Sequence, residues 1–128
     1  VDVTHLSDVA FWQVLDNFNG RIHASHQNSR RLAPWQRQFS DEQYRAVIER
    51  DGVIGIAFDI IMLQPGYVRR VSERLVSMER AVENIDIICQ LAGNTRNVGI
   101  GSDDRSGMHA GGRHRHRVQQ LRKWLKLL

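Results

Sequence analysis

The run Gly52-Val53-Ile54-Gly55-Ile56-Ala57-Phe58 contains no polar side chain, and this constrains the fold more than any other feature of the chain. A strand with one wet face alternates polar and apolar residues. A strand that is apolar at every position is buried on both faces, as in a parallel sheet covered by helices. Three further strand-like runs surround it, at 1–5, 21–26 and 97–101. Between them lie helical patterns. Ser7 is a suitable N-cap for a helix over 8–18, in which Phe11, Val14, Leu15 and Phe18 recur at helical spacing before Asn19-Gly20. Ser40-Asp41-Glu42-Gln43 has the capping-box pattern and starts a helix to about residue 50, broken by Asp51-Gly52. Pro65-Gly66 marks a turn. From 68 to 91, Val71, Leu75, Met78, Val82, Ile85 and Cys89 define one helix face, stopped by Gly93 and Asn94. The order β-α-β-α-β-α-β, with connections long enough for right-handed crossovers, predicts a parallel α/β sheet of four strands. Four such strands are half of a (β/α)₈ barrel, which typically needs roughly 250 residues.

Composition narrows the class. The chain of 128 residues is 41% hydrophobic and 25% charged, ordinary values for a globular domain. Its apolar runs are too short to span a bilayer and no basic-then-apolar leader is visible, so a cytoplasmic location is expected. The net charge of +4 hides a split. After Asp104 there are seven Lys/Arg and no acid, whereas 1–104 holds eleven Lys/Arg against fourteen acids. The expected organisation is therefore one domain over 1–104 and a basic tail over 105–128, read as a flexible or helical end. Such a tail can touch nucleic acid through non-specific electrostatics, but a solvated end is the simpler reading, and nucleic acid is the least supported partner. Its His109, His114 and His116 alternate with arginines, which set like charges beside any bound cation. The single Cys89 lies among Ile87, Ile88 and Leu91 and reads as a small buried hydrophobe.

Chemistry is expected where the strands end. In a parallel α/β sheet or barrel the carboxyl ends of the strands gather on one face, so residues distant in sequence converge there. His5 and His26 close two of the runs, and Asp103 follows the last. Two imidazoles and a carboxylate suit a divalent metal. By strand alternation His23 points away from Ala24 and is read as a packing or surface residue. Arg30 and Arg31 are read as a solvated loop pair, and Trp12, Trp35 and Trp124 as packing residues. The glycines near the strands lack phosphate-loop spacing ahead of a helix, which excludes nucleotide binding.

Five blocks, in order, carry a resemblance. They are Asp2-Val3-Thr4-His5-Leu6-Ser7, Ala24-Ser25-His26-Gln27-Asn28-Ser29-Arg30, Arg37-Gln38-Phe39-Ser40-Asp41-Glu42-Gln43, Gly52-Val53-Ile54-Gly55-Ile56 and Val98-Gly99-Ile100-Gly101-Ser102-Asp103. Together they resemble the membrane (renal) dipeptidase family of zinc peptidases over about residues 1–104. The resemblance implies the carboxy-terminal half of an amidohydrolase-type (β/α)₈ barrel. It places His5 and His26 on the two histidines that hold one Zn²⁺ of a binuclear centre, and Arg37 on the arginine that contacts substrate. Asp103 falls on the acidic residue beside metals and substrate, with a catalytic and a substrate-binding role. The family also uses a His-x-Asp pair on the first barrel strand and a bridging glutamate on a middle strand. Neither occurs upstream of His5 in these 128 residues, so the metal site is expected to be partial and the chain a fragment.

Three function classes follow. The first is a zinc-dependent dipeptidase, or a piece of one, hydrolysing the peptide bond of a dipeptide with metal-activated water. The second is a non-catalytic remnant acting by association. The third is a basic nucleic-acid-binding module, which rests on the tail alone. Because a half barrel exposes strand edges, self-association is expected.

Overall fold

The computed structural model describes residues 1–102. Its elements, in chain order, are α1 (Asp8–Asn17), α2 (Asp41–Glu49), β1 (Ile54–Ala57), α3 (Ile60–Leu63), α4 (Met78–Ala92) and β2 (Val98–Ser102). Asp103 and the basic tail lie outside the described residues.

The apolar run does form a buried strand. All four residues of β1 are buried, and β1 pairs in parallel with β2 in the register Ile54 with Val98, Gly55 with Gly99 and Ile56 with Ile100. A register shift follows Ile56, so that Ala57 meets Ser102. The expectation of four strands needs correction. Only β1 and β2 are continuous strands among the described residues. The runs at 1–5 and 21–26 lie parallel in the expected order but are joined by single bridges, Asp2 to His23 and Ala24 to Ile54. Val3 N–H donates to His23 O at 2.9 Å, and His23 N–H to Val1 O at 3.0 Å; Gly55 N–H donates to Ala24 O at 2.8 Å. Both runs turn too soon for a ladder to grow. His5 already adopts φ 68°, and the chain leaves the extended path at Ser25-His26.

The caps behave as the sequence predicts. Ser7 Oγ accepts from Ala10 N–H at the start of α1, and Ser40 and Gln43 form both halves of the capping box at α2. Helix α1 ends one residue before the expected Phe18, and its last turn is held by Arg50, whose guanidinium donates to the carbonyls of Leu15 and Phe18. Gly93, at φ 67°, closes α4 in the left-handed conformation that favours glycine.

The helix expected over 68–91 is shorter. It starts at Met78, and Val71 and Leu75, placed by spacing on its inner face, are 81% and 72% exposed. Local polar bonds win over periodicity here. Arg70 adopts φ 68°, Ser72 Oγ accepts from Val68 N–H, and the Gln64 side chain accepts from Leu75 N–H while donating to Glu73 O. The expected solvated pair is also corrected. Arg30 makes a two-pronged ion pair with Asp8 (2.8 and 3.1 Å), and Arg31 pairs with Asp41. Trp12 and Trp35 remain 41% and 39% exposed, so neither is a full core residue, although Trp12 meets Phe11 edge to face.

The core lies between the sheet and its helices. Helix α4 packs on α2 and on both strands. Phe11 of α1, Phe39 and Tyr44 of α2 form an edge-to-face series with ring centres 5.2 and 5.8 Å apart. Cys89 is half-buried against this core, and burial first, then Asp86, pushes its thiol pKa up, which leaves it a poor nucleophile.

Candidate metal centre at the strand ends

His5 and His26 meet where their runs end. Their Nε2 atoms are 2.8 Å apart and the rings meet edge-on, centroids 4.7 Å apart. Three local features bring this about. The left-handed backbone at His5 is a sparsely populated conformation, costing about 1–3 kcal/mol where it is not glycine, and such residues cluster at functional sites. Ser25 N–H and Thr4 N–H both donate to Asp2 Oδ1, at 3.1 and 3.0 Å, tying the two runs together just before the histidines. Gly55 and Gly101 leave room for the Ser25 carbonyl: a Cβ on either would lie 2.1 Å from it, and one on Gly101 would meet His26 Cα at 2.8 Å. The end of β2 therefore runs against His26, two residues before Asp103.

Arg37 joins the same point. Its Nη2 lies 3.0 Å from His5 Nε2. A guanidinium only donates, so this contact requires a lone pair on His5 Nε2. The loop carrying Arg37 is held by backbone: Gln27 Nε2 donates to Arg37 O, and Arg30 donates to Gln36 O and Gln38 O, both at 2.9 Å. Three consecutive carbonyls around Arg37 are thus fixed by two side chains. Gln38 itself is buried and donates to Met62 O at 2.7 Å. The structure therefore gathers His5, His26 and Arg37, whereas Asp103 lies outside the described residues.

Around the histidines is a polar support that residue types alone did not single out. Ser25 Oγ is 2.8 Å from His26 Nδ1 and 3.4 Å from Thr4 Oγ1. Burial acts to raise the Asp2 pKa, but hydrogen bonds from Ser25 and Thr4 outweigh it and hold the carboxyl well below the usual carboxylate range. The one available signal was alternation, which puts Asp2 and Thr4 on the same side of their run. His23 is exposed, 4.0 Å from Asp2 Oδ2, as a surface residue should be.

The donor set can be tested against a metal. Two Nε2 atoms bound to one tetrahedral Zn²⁺ at 2.0–2.1 Å would stand about 3.3 Å apart, so the observed pair needs to open by only about half an ångström. The two imidazoles fit as one side of such a site. Among the described residues no third His, Cys, Asp or Glu joins them.

The comparisons with known proteins agree with this architecture. The chain is 25% identical to dipeptidase AC, a metallopeptidase of family M19, with a TM-score of 0.68 over 80% of this chain and 29% of that one. It is 27% identical to a metallopeptidase from Rhodobacter sphaeroides, bound to a phosphinate mimic of the dipeptide L-Ala-D-Ala, with a TM-score of 0.67 over 80% of this chain and 28% of that one. These neighbours fit a partial barrel. Among curated proteins, an uncharacterized Klebsiella pneumoniae protein encoded 5′ of pqqA is 30% identical over 80% of this chain and 36% of its own length. An uncharacterized Acinetobacter calcoaceticus protein is 38% identical over 50% of this chain and 20% of its own. The chain thus spans between a fifth and two-fifths of the length of these relatives. The model of the membrane dipeptidase family matches residues 1–126, continuing past the five quoted blocks and through most of the basic tail. The chain belongs to the membrane dipeptidase family, peptidase family M19.

Proposed function

We propose that this chain forms the carboxy-terminal part of a zinc-dependent dipeptidase, with His5 and His26 as two ligands of one metal and Arg37 as the substrate's anchor. The observation that carries the reading is the convergence of three side chains from separate segments: His5 and His26 Nε2 at 2.8 Å, with Arg37 on the same His5 nitrogen at 3.0 Å. When bound, zinc supplies a Lewis acid and lowers the pKa of a water to near neutrality. The chain's own residues do the rest. His5 and His26 would hold the ion through their Nε2 atoms. Arg37, beside His5, would donate to the carboxylate of a dipeptide, which matches its fork. Asp103 is assigned to orient the attacking water and carry its proton, two residues beyond the point where β2 meets His26.

A second reading has its own support. Only two ligands converge among the described residues, and a zinc site normally has three or four. A chain with half a site is then a non-catalytic remnant acting by association. Isothermal titration with Zn²⁺ and a dipeptide hydrolysis assay separate the two. The isolated 128 residues should bind zinc weakly through His5 and His26 and be inactive. Joined to the missing part of a related family barrel, they should hydrolyse dipeptides in a chelator-sensitive way, and H5A or H26A should abolish it. A reconstituted barrel indifferent to both histidines would overturn the assignment, and one that assembles without activity would favour the remnant.

A further inference from the structure

We infer that Arg30 is a positioning residue that sets where Arg37 points, so that the Asp8–Arg30 ion pair governs how well the site takes the carboxylate end of a dipeptide. The inference rests on the reading of Arg37 as the substrate's anchor. It starts from the peptide planes around Arg37. Arg30 Nη2 donates to Gln36 O and Arg30 Nε to Gln38 O, both at 2.9 Å, while the buried Gln27 donates through Nε2 to Arg37 O between them. Because the peptide unit is planar, a carbonyl held in place holds its whole plane. The planes on either side of the Arg37 Cα carry Gln36 O and Arg37 O. Fixing both fixes φ and ψ of Arg37, and with them the direction in which its side chain leaves the backbone. Gln38 O ties this arrangement to the base of the loop, where Arg30 N–H donates to Phe39 O at 2.9 Å and Phe39 N–H to Asn28 O at 3.0 Å. Residues 30–38 contain no helix or strand that could hold Arg37 instead.

Arg30 can serve as a clamp because it is itself locked. Its Nη2 and Nη1 donate to the two carboxylate oxygens of Asp8 at 2.8 and 3.1 Å. Together with the two carbonyls, these bonds use four of the five N–H donors of one planar guanidinium, a fork that an ammonium cannot reproduce. Asp8 is fixed in turn. It is the first residue of α1, where the helix dipole favours a carboxylate, and its Oδ1 also accepts from Gln43 Nε2 at 3.2 Å. Gln43 Oε1 accepts from Ser40 N–H in the capping box of α2. The starts of two helices thus frame an irregular loop, and Arg37 takes its place from them. Arg30 acts on the substrate only through Arg37. A displaced Arg37 loses its hold on a carboxylate, whereas an amide carries no charge for the guanidinium to pair with.

The test is ¹⁵N NMR of the 128-residue chain as wild type, R30K, R30A and D8N. It reads the backbone order of residues 36–38, and the Arg37 Nε–H signal during titration with Ala-Ala and with Ala-Ala amide at constant ionic strength. In the wild type the backbone of 36–38 should be rigid, with order parameters of about 0.85. The Arg37 signal should respond to the dipeptide about 10-fold more tightly than to its amide. R30K keeps a positive charge beside Asp8 but lacks the fork, so order at 36–38 should fall below about 0.6. Its preference for acid over amide should shrink by about 10-fold or more. R30A should do the same, and D8N, which leaves the fork on the carbonyls but removes its ionic lock, should fall between. If R30A does not fold, R30K and D8N carry the test, with urea midpoints reporting their stability. A merely structural Arg30 would lower the midpoint of R30K while its folded molecules kept both readouts. Folded R30K with the wild-type order at 36–38, or with the wild-type preference for the acid, overturns the inference. Order that falls in R30K, beside a wild-type Arg37 that answers acid and amide alike, would keep the clamp but sink the reading of Arg37 as the anchor, and with it the effect on substrate.

Discussion

Replacing Gly55 by alanine should damage the fold and the site through one contact. The new Cβ would stand 2.1 Å from the Ser25 carbonyl oxygen, about 1.3 Å inside the 3.4 Å at which ordinary contact begins, and 2.9 Å from Gly101 Cα. The three nearest atoms are all backbone, so no rotamer change relieves these contacts. Nor can the strand retreat, because Gly55 N–H donates to Ala24 O at 2.8 Å and Gly55 O accepts from Gln27 N–H at 2.7 Å. Overpacking of this kind costs about 1–3 kcal/mol, and the upper end applies where both sides are pinned. Against a total stability of roughly 5–15 kcal/mol that is a large loss. Any relaxation must move Ser25, and with it His26, so the 2.8 Å meeting of the histidines opens as well. Urea unfolding followed by tryptophan fluorescence should show a midpoint lowered by the equivalent of about 2–3 kcal/mol, and zinc affinity should fall in the surviving folded fraction. The proper control is G99A, whose Cβ would meet only a movable Val53 methyl at 3.2 Å and should change stability little. A G55A chain with the stability of wild type to within about 0.5 kcal/mol would refute the claim that the Ser25 carbonyl is clamped over β1.

Other perturbations test other parts. Asn28, fully buried, bonds Ala57 N–H and O at 2.9 Å each and Met62 O at 3.2 Å, so N28A should cost about 3 kcal/mol or more by leaving buried backbone groups unpaired, measurable as a lowered melting temperature. The lowered pKa of Asp2 means that its folded carboxylate binds protons less readily than the unfolded one. Its stabilisation is therefore complete above the unfolded value near pH 4 and lost as pH falls through the folded value, so urea midpoints should drop below about pH 4 in wild type and drop less in D2N. Val53 and Ile100, 43% and 51% exposed, border an open groove of about 420 Å³ beside β1 and β2, and sedimentation velocity should show concentration-dependent association. A monomer at every concentration would speak for a self-sufficient sheet.

What the sequence determined by itself were the features governed by neighbours in the chain. The unbroken apolar run dictated a strand buried on both faces, Ser7 and the Ser40–Gln43 box dictated where two helices begin, and Gly93 where α4 ends, because capping and strand burial depend on a few adjacent residues. The histidines at the ends of their runs were also legible, since the carboxyl ends of parallel strands share one face whatever the details of pairing. Tertiary structure decided the rest. Whether the runs at 1–5 and 21–26 became strands or single bridges depended on turns at His5 and Ser25 that periodicity does not register. The lost first turns of the 68–91 helix were settled by Gln64, a side chain outside that segment. Arg30 looked like a solvated cation until folding placed Asp8, from another element, against it. The spacing of His5, His26 and Arg37 was likewise out of reach of the sequence. It rests on Asp2 binding two separate runs, on Gln27 and Arg30 holding the Arg37 loop, and on glycines that let Ser25 approach the sheet, all of them contacts between residues that only the folded chain brings together.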